Sequence, residues 1–149
     1  SAELTVHHEL DCSVDEIRAL ADVYHPVRNV GASVASGSFQ TRGMLLAPCS
    51  IRTLGEITTG VTSSLLTRAA DVILKERRRL VLMVRETPLH LGHLRNMVAV
   101  TEMGAVVAPP VPAFYAKPDS VDAMVTQSVA RALDLFDITL PETHRWTES

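Results

Sequence analysis

Leu80-Val81-Leu82-Met83-Val84-Arg85-Glu86-Thr87-Pro88 is the stretch whose reading decides the fold. Its apolar half runs without polar alternation, the pattern of a strand covered on both faces, as in a parallel sheet. It breaks abruptly at Arg85 and closes at Pro88, so the chain leaves the sheet there. Two other stretches look the same: Met44-Leu45-Leu46-Ala47 upstream and Ala105-Val106-Val107-Ala108 downstream.

Each strand is followed by helical periodicity. After the first come a short helical stretch near Ile51 to Thr59 and a helix from about Ser64 to Arg78. After the second comes a helix from about Leu91 to Met103, with Gly104 as its stop. After the third, Pro118-Asp119-Ser120 starts a helix reaching about Phe136, with Val121, Met124, Val125, Val129, Ala132 and Leu133 at helical spacing. Ser13 with Glu16 three residues on is a capping box for an earlier helix. Alternating strands and helices with short connections give an α/β domain with right-handed crossovers. One domain spans residues 1–149, with a C-terminal tail from about residue 138. The stretch from His25 to Gly43, rich in Gly, Ser and Asn, is a long loop of the kind that carries function. Three strands make a thin sheet, and the seven glycines form no GxGxxG turn.

Composition excludes several classes. The 149 residues are 46% hydrophobic and 21% charged, with a formal charge of −3, so the chain is neither disordered nor a coiled coil. Without a basic excess, and with only one Trp, two Tyr and three Phe, nucleic acid is not an expected partner. No apolar run approaches the ~20 residues of a membrane span. Cys12 and Cys49 form no CxxC pair and read as reduced thiols, which sets the expectation of a cytoplasmic protein.

Ligands of open α/β sheets sit beyond the carboxyl ends of the strands. Here those ends are Pro48-Cys49-Ser50-Ile51-Arg52-Thr53, Arg85-Glu86-Thr87-Pro88 and Pro109-Pro110-Val111-Pro112-Ala113-Phe114-Tyr115. The first is an anion site at a helix start, or simply a helix capped by Ser50 or Thr53. Arg85 matches phosphate geometry, while Glu86 is either its salt-bridge partner or a proton-handling group. The prolines would hold Tyr115 in place to pack or to donate to an anion. Arg68 and Lys75 share a helix face with Asp71, the ordinary partner for such cations. Arg77 to Arg79 complement a helix dipole. Arg131 lies at the edge of an apolar stripe. His90 and His93 lack HExxH, and no metal site is expected. Cys49 is either a reactive thiol or a small core residue, the second being the ordinary reading. Taken together, Arg, Lys and Tyr groups at strand ends and on helices are placed to converge on an anionic, phosphorylated ligand.

These words, in order, resemble the flavin prenyltransferase (UbiX) family. The matching stretches are Ser36-Gly37-Ser38-Phe39, Pro48 through Leu54, Arg68-Ala69-Ala70-Asp71-Val72 leading to Leu74-Lys75-Glu76, Arg85-Glu86-Thr87-Pro88-Leu89, His93-Leu94-Arg95-Asn96-Met97, Pro109 through Tyr115 and Val129-Ala130-Arg131. The resemblance implies a Rossmann-like or flavodoxin-like open parallel sheet with helices on both faces, assembled as a dodecamer with sites between subunits. It implies FMN as prenyl acceptor, dimethylallyl phosphate as donor, no metal, and prenylated FMN as a product passed to a UbiD-type decarboxylase. Family members have often been labelled aromatic-acid decarboxylases.

Carried over residue by residue, the resemblance gives Ser50, Ile51, Arg52 and Thr53 to FMN and sets Arg85 between FMN and the donor's phosphate. Lys75, Tyr115 and Arg131 would grip that phosphate. Arg68 and Glu86 would complete the polar shell, with Glu86 near the proton transfers. Trp146 resembles the family's C-terminal aromatic. The family usually has Pro where Val84 stands and Glu where Arg95 stands. Its opening strand, Gly-rich turn, helix and second strand have no counterpart here, which sets the expectation of a longer natural protein or a separately supplied segment. The alternatives are a flavin-dependent cysteine decarboxylase of related fold, whose PASANT and PxMNxxMW words are absent, and a non-catalytic FMN-binding subunit of an aromatic-acid decarboxylase complex.

Overall fold

The computed structural model describes residues 2–141 and Arg145. Helices α1 (Ala2–Glu9) and α2 (Val14–Ala19) lead into β1 (Gly43–Cys49), α3 (Ile51–Thr58) and α4 (Leu65–Lys75). Then come β2 (Arg79–Val84), α5 (Leu91–Glu102), β3 (Val106–Val107) and α6 (Val121–Asp134). The sheet is parallel in the order β1-β2-β3. The expected α/β architecture is therefore the observed one.

β2 is the central strand, and Leu80, Val81 and Leu82 are fully buried. Its side chains alternate between two layers, as the pleat requires. Leu80, Leu82 and Val84 join Leu54, Ile73 and Val100 from α3, α4 and α5 in the main core. Val81 and Met83 face the other way, where Met83 lines a cleft together with Ala132 of α6 and Leu135 just beyond it. A run that is apolar at every position is thus needed only in the strand with helices on both sides. Among the described residues β1 lies at the edge of the sheet, and its Ala47 and Pro48 are exposed, short of the expected cover on both faces. β3 is shorter than the apolar run Ala105–Ala108, although the Ala108 N–H still donates to the Leu82 carbonyl at 2.9 Å.

The expected starts are realised by side-chain caps. Ser13, Ser50, Ser64 and Ser120 each accept from the backbone three residues on, and Ser13–Glu16 is a full capping box. Gly104 follows the Met103 cap of α5 at φ 103°, the left-handed position that glycine fills without cost.

α4 stops three residues before the expected Arg78. Arg77 adopts a left-handed φ of 57°. Its N–H donates to the Leu74 carbonyl at 3.0 Å, and the Arg78 N–H donates to the Ile73 carbonyl at 2.9 Å. These two bonds make a Schellman end with arginine where glycine is usual. Arg78 and Arg79 do more than complement the helix dipole, which corrects the sequence reading. Arg78 donates to the Gly37 and Phe39 carbonyls, and Arg79 to the Leu135 carbonyl. A sequence pattern cannot register such partners because they lie on the order of 40 or more residues away in the chain.

The long loop from His25 to Gly43 holds a single one-turn helix, Ser33–Ala35, and lies against α4. α1 had no counterpart in the sequence reading. Among the described residues no helix is long and apolar enough to cross a membrane.

Because Arg77 carries a Cβ in a left-handed turn, Arg77→Gly is expected to stabilise the protein by about 1 kcal/mol. Urea unfolding of the two proteins checks this, and a lower midpoint for the variant would refute it.

Candidate functional site

Parallel pairing places the three strand ends side by side. The Arg85 N–H donates to the Cys49 carbonyl at 3.3 Å, so the start of α3 lies one strand spacing from Arg85. Ala108 bonds to Leu82 on the other flank, bringing Pro109 to Val111 alongside. A cleft of about 460 Å³ opens there, lined by Arg85, Glu86, Thr87 and the Pro109–Val111 segment. A second cleft of about 210 Å³ shares the Pro109–Val111 wall and continues to Ala113, Gln127, Ser128 and Arg131. The combined volume falls in the range of ligand sites.

Ser50 caps α3, its Oγ accepting from the Thr53 N–H at 3.1 Å and lying 3.0 Å from the Thr53 hydroxyl. Capping does not exclude an anion site here, because the first-turn N–H groups of Ile51 and Arg52 have no acceptor within the helix. The Arg52 side chain turns outward to Glu56 at 2.9 Å and is largely exposed, which leaves only its backbone at the helix start. Glu86 does not pair with Arg85, and its Oε1 instead accepts from the Thr87 N–H at 3.1 Å.

Arg85 is held by Glu9 of α1 through two hydrogen bonds of 3.0 Å. The Arg85 guanidinium holds the Glu9 carboxyl below the usual range for glutamate. The sequence reading missed Glu9. It lies 76 positions from Arg85 in the chain, and nothing in Val6-His7-His8-Glu9-Leu10 marks it out.

Arg131 borders the second cleft and pairs with Asp134 at 2.5 Å. Asp134 also accepts from Arg145 at 2.7 Å, and the two arginines, Arg145 foremost, hold its carboxyl below the usual aspartate range. Tyr115 is half exposed in the one-turn helix Phe114–Ala116, two residues past cleft-lining Ala113. Trp146 lies outside the described residues.

Arg68 and Lys75 are elsewhere, so the expected convergence of all the cations does not occur within one chain. α4 returns the chain from the carboxyl ends of the strands to their start, so Lys75 sits where β2 begins. Arg85 stands at the other end of that strand, roughly 17 Å of extended chain away. Arg68 lies on the α4 layer, across the sheet from α6, and pairs with Asp71 at 2.9 Å. Lys75 pairs with Glu76 and lies against Gly37 of the long loop.

Cys49 resolves to the core reading: it is buried, and burial pushes its thiol up to about 11. His90 caps α5, its Nδ1 accepting from the Gly92 and His93 N–H groups at 3.0 and 3.4 Å, and its ring stacks on His93. Among the described residues no three His, Cys, Asp or Glu side chains gather as a metal set.

Comparisons with known proteins agree on one family. The Flavoprotein family model matches residues 8–133. The flavin prenyltransferase UbiX of Neisseria meningitidis serogroup B is 59% identical over 145 residues, covering 97% of this chain and 77% of that protein. The flavin prenyltransferase UbiX of Escherichia coli K12 is 60% identical over 142 residues, covering 95% and 75%. The crystal structure of AnUbiX (PadA1) in complex with FMN and dimethylallyl pyrophosphate superposes with a TM-score of 0.97 at 51% identity, over 99% of this chain and 79% of that one. A dodecameric FMN-dependent UbiX-like decarboxylase from Escherichia coli O157:H7 gives a TM-score of 0.96 at 46% identity, over 99% and 80%.

At pH 8 the Cys49 thiolate fraction is far too small for reaction. Ellman's reagent is expected to modify one thiol of the native protein, Cys12, and both after unfolding. Label on Cys49 in the native protein, found by peptide mass spectrometry, would contradict its buried state.

Proposed function

Because the chain belongs to the flavin prenyltransferase (UbiX) family of flavoproteins, we propose that it joins a dimethylallyl group from dimethylallyl phosphate to FMN. The product, prenylated FMN, passes to a UbiD-type decarboxylase. The observation that carries this reading is the paired cleft at the sheet's carboxyl edge. There Arg85 and Glu86 in one cleft and Arg131 in the other border a shared proline-rich wall, and the start of α3 lies one strand spacing from Arg85.

The residues present fit a flavin mononucleotide. The cleft beside Arg85 is of ligand size, and the capped start of α3 offers backbone N–H donors to polar ring or phosphate oxygens. When bound, FMN supplies the ring that accepts the prenyl group. Ser50, Ile51, Arg52 and Thr53 hold it, with Arg52 contributing through its backbone. Arg85 bridges between flavin and donor phosphate, a task suited to its planar fork. Arg131 and Tyr115 bind the phosphate on the adjoining side. Departure of phosphate concentrates negative charge on its oxygens, and cations placed where that charge grows lower the barrier. Glu86, beside Arg85 at the strand end, moves the proton released from the flavin ring. The apolar and proline wall keeps water from the allylic fragment as its bond to oxygen loosens.

Lys75 and Arg68 belong to the same polar shell but serve the cleft of a neighbouring subunit in a dodecamer. Their position supports this reading. Both are half exposed on α4, on the far side of the sheet or at its opposite end from Arg131. A cytoplasmic location suits a protein with two unpaired cysteines.

The intact protein incubated with FMN and dimethylallyl phosphate is expected to yield a flavin heavier by one prenyl unit. An unchanged flavin mass with flavin-loaded protein would overturn the proposal. Lys75→Ala and Arg131→Ala should each lower kcat/KM by about a hundredfold or more. Mixed, dissociated and reassembled, the two variants should regain activity at about a quarter of their sites, since each site then draws one intact face from each parent. No recovery would show that the two residues serve a site within one chain.

A further inference from the structure

Resting on this shared-site reading, we propose that Arg78 is a positioning residue for the prenyl-transfer reaction. It pins the Ser36-Gly37-Ser38-Phe39 segment onto the end of α4, so that this loop and Lys75 form one phosphate-facing unit presented to the neighbouring subunit.

Residues 25–43 contain a single helical turn, and a segment that long needs anchors to hold one shape. α4 supplies one at each end. At its start the Leu65 N–H donates to the Val27 carbonyl at 2.8 Å. Beyond its last turn Arg78 sends one guanidinium nitrogen to the Gly37 carbonyl at 2.6 Å and the other to the Phe39 carbonyl at 2.7 Å. Charge-assisted bonds from one rigid fork fix both the position and the tilt of the peptide between them. The Schellman turn explains how Arg78 comes to point there. It reverses the chain at Arg77, so the next residue leaves the helix axis toward the loop.

Gly37 shows why the contact is close. A Cβ there would overlap the Glu76 carboxylate and come within 2.7 Å of the Lys75 ammonium nitrogen. The loop backbone therefore lies directly on the Lys75–Glu76 pair. The Ser36 and Ser38 hydroxyls are 2.9 Å apart on either side of Gly37, and both serines are exposed. One ammonium and two hydroxyls, on a backbone that Arg78 anchors at two carbonyls, match the chemistry of a phosphate monoester. Arg78 itself is spent on carbonyls, so it acts through the loop and through Lys75.

The test measures KM for dimethylallyl phosphate, kcat and FMN affinity in Arg78→Ala, Arg78→Lys and Gly37→Ala, with assembly checked by sedimentation. Losing two charge-assisted bonds should raise KM by about tenfold or more in R78A. FMN affinity should stay within about twofold of wild type, because the flavin contacts lie at the other end of the sheet. R78K, which reaches one carbonyl, should fall between, and it carries the test if R78A does not assemble. G37A should show the same KM defect by a steric route. In mixed assemblies R78A should recover activity with R131A and none with K75A, because Arg78 and Lys75 serve the same face. A KM within about twofold of wild type in R78A and G37A overturns the proposal. So does a loss that reads out in FMN affinity, or recovery when R78A is mixed with K75A. If K75A and R131A do not complement each other, the shared-site reading falls, while the KM comparison still decides the role of Arg78.

Discussion

The structure depends on one strand being closed off from water. β2 is paired on both edges and covered on both faces, so every side chain from Leu80 to Val84 is buried. Apolar burial on that scale is the largest favourable term available to a chain of this size. It also dictates geometry, since α3, α4 and α5 must gather on one face and α6 on the other. No polar group can be tolerated within the strand without a partner. Polar chemistry is therefore pushed to its two ends.

Those two ends are both cationic and do different work. Arg85 emerges at the carboxyl end into a cleft walled by Pro109 to Val111, beside the start of α3. Lys75 and Arg78 stand at the opposite end, against the long loop. A strand of six residues is too long for these groups to meet over one small ligand. Assembly into a multimer is then part of the proposed chemistry, in which a second copy would bring the missing cations to each cleft.

Each of the cations assigned to phosphate also holds a carboxylate: Arg85 with Glu9, Arg68 with Asp71, Lys75 with Glu76 and Arg131 with Asp134. All four cations are substantially exposed, and exposed ion pairs are weak, although Asp134 on the Arg131 side is largely buried. A phosphate carries more charge and more acceptor oxygens than a carboxylate, so it can displace or join these partners at small cost. The pairs keep the side chains extended toward solvent and their charges balanced.

Local pattern in the sequence determined the strands, the helix starts at Ser13, Ser50, Ser64 and Ser120, and the buried character of Cys49. Strand burial and helix capping are short-range physics, written within a few neighbouring residues. The ordered words from Ser36 to Arg131 also marked the family. What only the tertiary structure decided are the pairings across the chain: Glu9 with Arg85, Arg78 with Gly37 and Phe39, and the separation of Lys75 from Arg131 by the sheet. The α4 end at Lys75 belongs with these, because the left-handed turn at Arg77, made without glycine, leads into an Arg78 tied to Gly37 and Phe39. Contacts of that kind have no period and no spacing in the sequence. They exist because closing β2 into the core fixes where every other element, and each end of the strand, must lie.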